Sequence, residues 1–254
     1  MSEEKPLVYL ILGAAGSGRR EIVADVIDGG MDKDASPVVF VAEVEIESSP
    51  DSLKPVAWRW NDAGEIDASW PAGATVGFFI SDGRGNPVDQ VEAFKPWMAA
   101  QDVELARVVC VIHCNLIAAH EPLMVWHDAC IQFTDIALLN RRENVENKWL
   151  SDYQSRFAKR HIPCLVEMMK KGRVKNPGLV LDQQTRRISH WFDADETDDW
   201  KTLVSHLEDV IIEDEAADDL DEEVTEDEDE YLARHVGGGR KKVIPNIAEY
   251  LDLP

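Results

Sequence analysis

The chain has 254 residues, 44% of them hydrophobic, which is enough for one α/β domain with appendages and excludes a disordered chain or a mini-protein. Its 49 acidic and 26 basic residues give a formal charge of −23. Nucleic acid and anionic membrane repel a surface of that sign, so neither is an expected partner. The excess is local: residues 208–230 hold 15 Asp or Glu and no Lys or Arg, leaving 34 acids against 26 bases elsewhere, a net of −8.

Cys110, Cys114, Cys130 and Cys164 sit in or beside apolar segments without the regular spacing of a disulfide framework, as reduced core thiols do. The start, Met-Ser-Glu-Glu-Lys-Pro, lacks the basic and then apolar design of a secretory signal. The apolar stretch 105–119 is broken by Arg107, His113 and Asn115 and is too short for a membrane span. A cytoplasmic protein is expected.

In chain order, residues 7–12 (LVYLIL) form an apolar run of strand length, followed by a glycine-rich turn and an amphipathic helix from Glu21 to Ile27. Further apolar or β-branched runs at 38–46, 75–80, 107–112, 136–139 and 162–166 predict strands. Most lack polar alternation, as strands covered on both faces do. Helical patterns at Val88–Ala100, Leu116–Phe133 and Glu146–Lys159 alternate with them. That order predicts an α/β fold, a mostly parallel sheet flanked by helices. Residues 56–70 place two Trp-containing stretches around Asn61-Asp62-Ala63-Gly64, which predicts an inserted β-hairpin at the sheet edge. Residues 178–193 read as two short strands around Gln183 and Gln184. The domain is expected over residues 5–200, an acidic disordered linker over 208–239, and a short C-terminal docking segment over 240–254.

Gly13-Ala14-Ala15-Gly16-Ser17-Gly18-Arg19-Arg20 follows the first strand and opens the first helix. It fits the start of the phosphate-loop pattern G-x-x-x-x-G-K-[ST], in which glycines let successive backbone N–H groups curl around phosphate oxygens at a helix N-terminus. Gly13, Gly16, Ser17, Gly18, Arg19 and Arg20 are therefore candidate nucleotide-binding residues. A plain strand-to-helix turn, with glycines serving close packing, is the alternative. Arg19 keeps the charge of the usual lysine in a bulkier planar fork. Arg20 replaces the hydroxyl that ligates Mg²⁺ and offers no oxygen, so metal-assisted hydrolysis is expected to be impaired.

After the strand at 75–80 comes Ser81-Asp82-Gly83-Arg84-Gly85-Asn86-Pro87, and later Gln132-Phe133-Thr134-Asp135-Ile136-Ala137-Leu138-Leu139-Asn140-Arg141-Arg142-Glu143. Taken in order with the glycine turn, these segments make residues 7–170 resemble the CobW family of GTPases, relatives of the nickel-insertion accessory GTPases of hydrogenase and urease. The resemblance implies a P-loop NTPase-like fold and a GTP or GDP cofactor. It implies that Asp82 holds a metal-bound water and that the Gly85 N–H senses the γ-phosphate, both as catalytic groups. It further implies that Asn140 reads the base, that Arg141 packs on the purine, and that Glu143, one methylene longer than the family's aspartate, accepts the guanine protons. Asn140 and Glu143 also suit merely closing a strand and capping the next helix.

The family's C-x-C-C metal motif has no counterpart in residues 47–74, and Val111-Ile112-His113-Cys114 replaces its V-V-D-A. On a strand Cys110 and Cys114 would stand about 13 Å apart, too far for one ion, and His127 with Cys130 supplies two ligands at most. No metal site is expected. The tryptophans are read as core and hairpin packing, and the acidic run as a solvated tail or a lure for a basic protein partner. The resulting expectation is a divergent nucleotide-binding protein with weak or absent GTPase activity, a switch or accessory protein. The alternative is a non-enzymatic interaction module that has lost the nucleotide, with Arg19 and Arg20 paired to acids of its own chain.

Overall fold

The computed structural model describes residues 5–32, 35–193 and 229–251. The elements are β1 (Leu7–Gly13), α1 (Arg19–Gly30), β2 (Val38–Ala42), β3 (Val56–Trp60), β4 (Ile66–Asp67), β5 (Val76–Ile80), α2 (Pro87–Gln101) and β6 (Glu104–His113). They continue with α3 (Cys114–Ala119), α4 (Leu123–Gln132), β7 (Ile136–Asn140), α5 (Asn147–Lys159), β8 (Leu165–Met168), α6 (Pro177–Leu181) and α7 (Ala248–Leu251). The strands form one eight-stranded sheet in the order β4, β3, β2, β5, β1, β6, β7, β8. Every pairing is parallel except β3 with β4. The expected α/β architecture with a hairpin at the sheet edge is what the chain forms.

Both faces of the central strands β2, β5, β1, β6 and β7 are covered, so they carry no polar alternation, whereas the edge strand β3 buries only Trp58. Along β1, Val8, Leu10 and Leu12 enter a core under α2, α4 and α5, while Tyr9 and Ile11 enter a second core under α1 and α6. The hairpin turn is closed by Asn61, whose Oδ1 accepts the N–H groups of Ala63 and Glu65 at 2.9 Å, and by Gly64 at φ 77°. Trp58, Trp97 and Trp126 are buried, and their indole N–H groups reach the carbonyls of Ile80, Ala68 and Gly85. Packing is thus what these three tryptophans do.

Several expected elements are redrawn. The strand expected over 38–46 ends at Ala42, and Glu43–Ser48 form a 3-10 turn. The helix expected over Leu116–Phe133 is two helices, because Pro122 supplies no N–H and disfavours helical backbone at Glu121. Cys114 opens α3 rather than continuing a strand, and His113 caps that helix by accepting the Leu116 N–H at 3.1 Å. Residues 178–193 hold no strand: Pro177 starts the short α6, and the chain beyond it is held by tertiary bonds. Buried Asp135 accepts the Arg186 N–H at 2.6 Å and pairs with the Arg187 guanidinium at 3.3 Å. Buried Arg107 donates to the carbonyls of Leu179 and Asp182.

The acidic tract 208–228 lies outside the described residues, as do 194–207 and 252–254. The expected linker extends to residue 239; within it Tyr231 and Ala233 are buried against the domain, whereas 234–239 are exposed. Tyr231 and Ile247 extend the core that α2 and α4 cover. Among the described residues no helix is long and apolar enough to cross a membrane.

Candidate functional site

β1 lies in the middle of the sheet and delivers the glycine turn to the C-terminal ends of the parallel strands, the usual ligand edge of an open α/β sheet. Gly13 has φ 135°, and a Cβ there would stand 2.4 Å from the Val111 carbonyl oxygen. Gly16 and Gly18 have φ 77° and 95°, left-handed backbone that other residues adopt only with strain. Ser17 is fully buried, and its Oγ has no hydrogen-bond partner. The turn between β1 and α1 therefore depends on its glycines and leaves one buried hydroxyl without a partner.

Gly83 lies directly against this turn. The Ala15 N–H donates to the Gly83 carbonyl at 2.9 Å. A Cβ on Gly83 would fall 2.2 Å from both the Ala15 nitrogen and Arg19 Nη2, so only glycine lies this close. The expected sensor, Gly85, sits elsewhere: its N–H donates to the Asp82 carbonyl at 3.4 Å and its carbonyl accepts from Trp126. Gly83 is the glycine that meets the loop.

Arg19, expected at the phosphates, is only 3% exposed. Its Nη2 donates to both carboxylate oxygens of Glu45 at 2.8 Å, and its Nη1 donates to the Ser81 carbonyl. Glu45 is itself buried at 5%. Arg20 turns to the same 3-10 segment, donating to the Glu45 carbonyl and to Ser48 Oγ at 2.7 Å. Both arginines are thus satisfied within the chain. Asp82 lies beside this pair and accepts the Arg84 N–H at 2.9 Å. Burial raises its carboxyl above the ordinary range, the Arg84 hydrogen bond opposes that, and the Glu45 charge adds to it.

At the end of β7, buried Asn140 donates from Nδ2 to the Ser17 carbonyl at 2.7 Å, and Arg141 donates from Nε to the Gly16 carbonyl at 2.9 Å. These two predicted residues are brought onto the loop as straps. Glu143 is exposed on the following turn. A cleft of 920 Å³ opens beside Gly18, Asn140 and Arg141, its other walls carrying both cations, Lys54, Lys171 and Arg173, and acids, Glu21, Asp25 and Asp28. His113, which no motif singled out for this site, stands about 3.8 Å from where a Gly16 Cβ would be. Burial first, then the Arg141 charge, lower its pKa and favour the neutral ring.

The thiols are buried in the core. Burial pushes Cys114 and Cys164 up to about 12, so neither is a thiolate at neutral pH. His127 is fully buried with its Nδ1 3.0 Å from the Leu123 carbonyl, and burial lowers its pKa to about 4. Among the described residues, no three His, Cys, Asp or Glu side chains are grouped to hold a metal ion.

No protein-family model and no curated protein matches the chain. Solved structures are similar to it, among them two of YjiA GTPase. The zinc-bound YjiA GTPase from E. coli shares 13% identity at a TM-score of 0.46, covering 72% of this chain and 67% of that one. A zinc-bound triple mutant of YjiA GTPase shares 13% identity at a TM-score of 0.45 over the same shares.

Three residues of the site escape a reading of the sequence. Glu45 is one of three alternating acids, Glu43, Glu45 and Glu47, and nothing local distinguishes it. Gly83 reads as a spacer. Gln90 reads only as part of a helix, yet its side chain accepts the Asp82 N–H and donates to the Asp82 carbonyl. The one available signal is the pair of arginines, since a buried arginine requires an acid.

Proposed function

We propose that this chain is a CobW-like P-loop protein that binds a guanine-type nucleotide without hydrolysing it, using the opening and closing of its phosphate loop as a switch. The observation that carries this reading is a loop built for phosphate and closed by Gly83. Asn140 and Arg141 at one wall of the 920 Å³ cleft support the nucleotide. The closed hollow does not fit a phosphate, because the Ala15 N–H is taken and Gly83 fills the space. Phosphate binding therefore requires Gly83 to leave. The residues present do not fit Mg²⁺ either: Arg20 stands where an oxygen ligand is needed, and both arginines bond Glu45.

A second reading, an interaction module that has lost nucleotide, is favoured by the Arg19–Glu45 pair, which leaves Arg19 satisfied without a ligand. Calorimetry with GTP, GDP and ATP, with and without Mg²⁺, separates the two. The first reading expects binding of GTP or GDP that Mg²⁺ does not strengthen, and no phosphate release. Heatless titration with all three nucleotides would select the second, and steady GTP turnover would overturn both.

A further inference from the structure

We propose that the C-terminal segment 229–251 is the output element of the phosphate loop: when Gly83 leaves the loop, the first turn of α2 slackens its hold on Arg240 and the segment loosens. The inference rests on the proposed function for its trigger, nucleotide binding, and three joints carry it.

The first joint is Gly83 itself, hydrogen-bonded to Ala15 and lying against Arg19. The second is Gln90, a buried side chain in the first turn of α2. Its Oε1 accepts the Asp82 N–H at 2.5 Å, and its Nε2 donates to the Asp82 carbonyl at 2.8 Å and to the Asn86 carbonyl at 3.4 Å. Asn86 caps α2 by accepting the Val88 N–H at 3.0 Å. Residues 82–86 and the start of α2 are thereby tied into one body, so a displacement of Gly83 is delivered to α2.

The third joint is the residue next to Gln90. Asp89 Oδ1 accepts from Arg240 Nε at 3.0 Å and Nη2 at 2.6 Å, and Glu92, one turn on, accepts from Arg240 at 2.7 Å and from Arg234. Arg240 also donates to the Tyr231 carbonyl at 3.3 Å, linking the ion pairs to the buried tyrosine. Between the two arginines the chain makes a small hairpin, with His235 and Gly239 bonded and Arg234 bridged to Arg240. Its tip, Val236, is fully exposed. The hairpin is thus fastened mainly at its base, to two acids of the helix that follows the loop closing the phosphate site.

Amide hydrogen exchange on the full chain without nucleotide tests the coupling. In Gly83→Ala the added Cβ would overlap the Ala15 nitrogen and lie 2.7 Å from the Ala14 carbonyl carbon, so the substituted segment cannot reseat on the loop. The expected result is exchange at least about fivefold faster in residues 13–18 and also in 231–242, with β6 and α5 unchanged. Adding Gln90→Met should return 231–242 to the parental rate while 13–18 stays fast. Fast exchange at 13–18 with a parental rate at 231–242 in Gly83→Ala overturns the inference.

Should Gly83→Ala fail to fold, reciprocity supplies the reverse test. Arg240→Ala, a change outside the loop, should speed exchange in 13–18 by about fivefold or more, and a parental rate there overturns the coupling. Nucleotide separates the two proposals. Absence of binding removes the proposed function while the variant results stand. Binding of GTP with unchanged exchange at 231–242 removes the coupling alone.

Discussion

Glu45→Ala is the most exposing perturbation of the closed loop. The change removes the carboxylate that takes two hydrogen bonds from a guanidinium only 2% exposed, and leaves that cation buried. Breaking a buried pair by deleting one partner costs about 3–5 kcal/mol. Arg19 keeps its bond to the Ser81 carbonyl, which places the expected loss near the lower end, at about 3 kcal/mol. For a chain of this size that is a melting point lowered by about 6–12 °C. Replacing both partners with methionine removes charge and partner together, and such exchanges are often close to neutral, so Arg19→Met with Glu45→Met is expected within about 1 kcal/mol of the parent. Urea unfolding of the parent, the two single variants and the double variant gives the coupling as a double-mutant cycle. A Glu45→Ala protein within about 1 kcal/mol of the parent would show that no buried ion pair holds this loop closed, and the proposed switch would lose its support.

Three further outcomes follow from the packing and the titrations. His127 has a folded pKa of about 4, below the ordinary value near 6.5, so the unfolded chain binds its proton first as pH falls. The stability this adds is present above about pH 6.5 and is lost toward pH 4, by about 3 kcal/mol. The acid limb of the stability profile should therefore be shallower in His127→Leu, and superimposable limbs would refute the assignment. Cys114 and Cys164, with thiols near 12, should resist alkylation in the native protein at pH 7.5 and react only after denaturation; rapid native labelling at either would contradict their burial. Tyr231→Ala removes a ring that is 1% exposed and should cost about 3 kcal/mol by thermal unfolding, whereas a loss below about 0.5 kcal/mol would mean that the terminal segment is no part of the core.

What the chain shows locally, it shows well. The alternation of strands and helices, the glycine turn after β1 and the edge hairpin are written in spacing and composition, because each depends on backbone freedom or apolar periodicity within a few residues. Asn140 and Arg141 are picked out by the resemblance and not by spacing, and the structure puts both on the glycine turn, bonded to the Ser17 and Gly16 carbonyls. The tertiary structure alone decided the rest. Arg19 finds Glu45 at a separation of 26 residues, and Arg240 finds Asp89 at 151. No local rule selects which of three alternating acids a buried cation will meet, and none says that Gly83 rather than Gly85 will touch the loop. The same holds for residues 229–239. Their acidic start predicts a solvated linker, but Tyr231 gains burial and Arg240 two acids only once α2 and α4 stand in place. The sequence determines which segment can form the glycine turn. What covers that turn, and which acid its arginines meet, is set by distant side chains, because the desolvation of a charge depends on the packing around it and not on its neighbours along the chain.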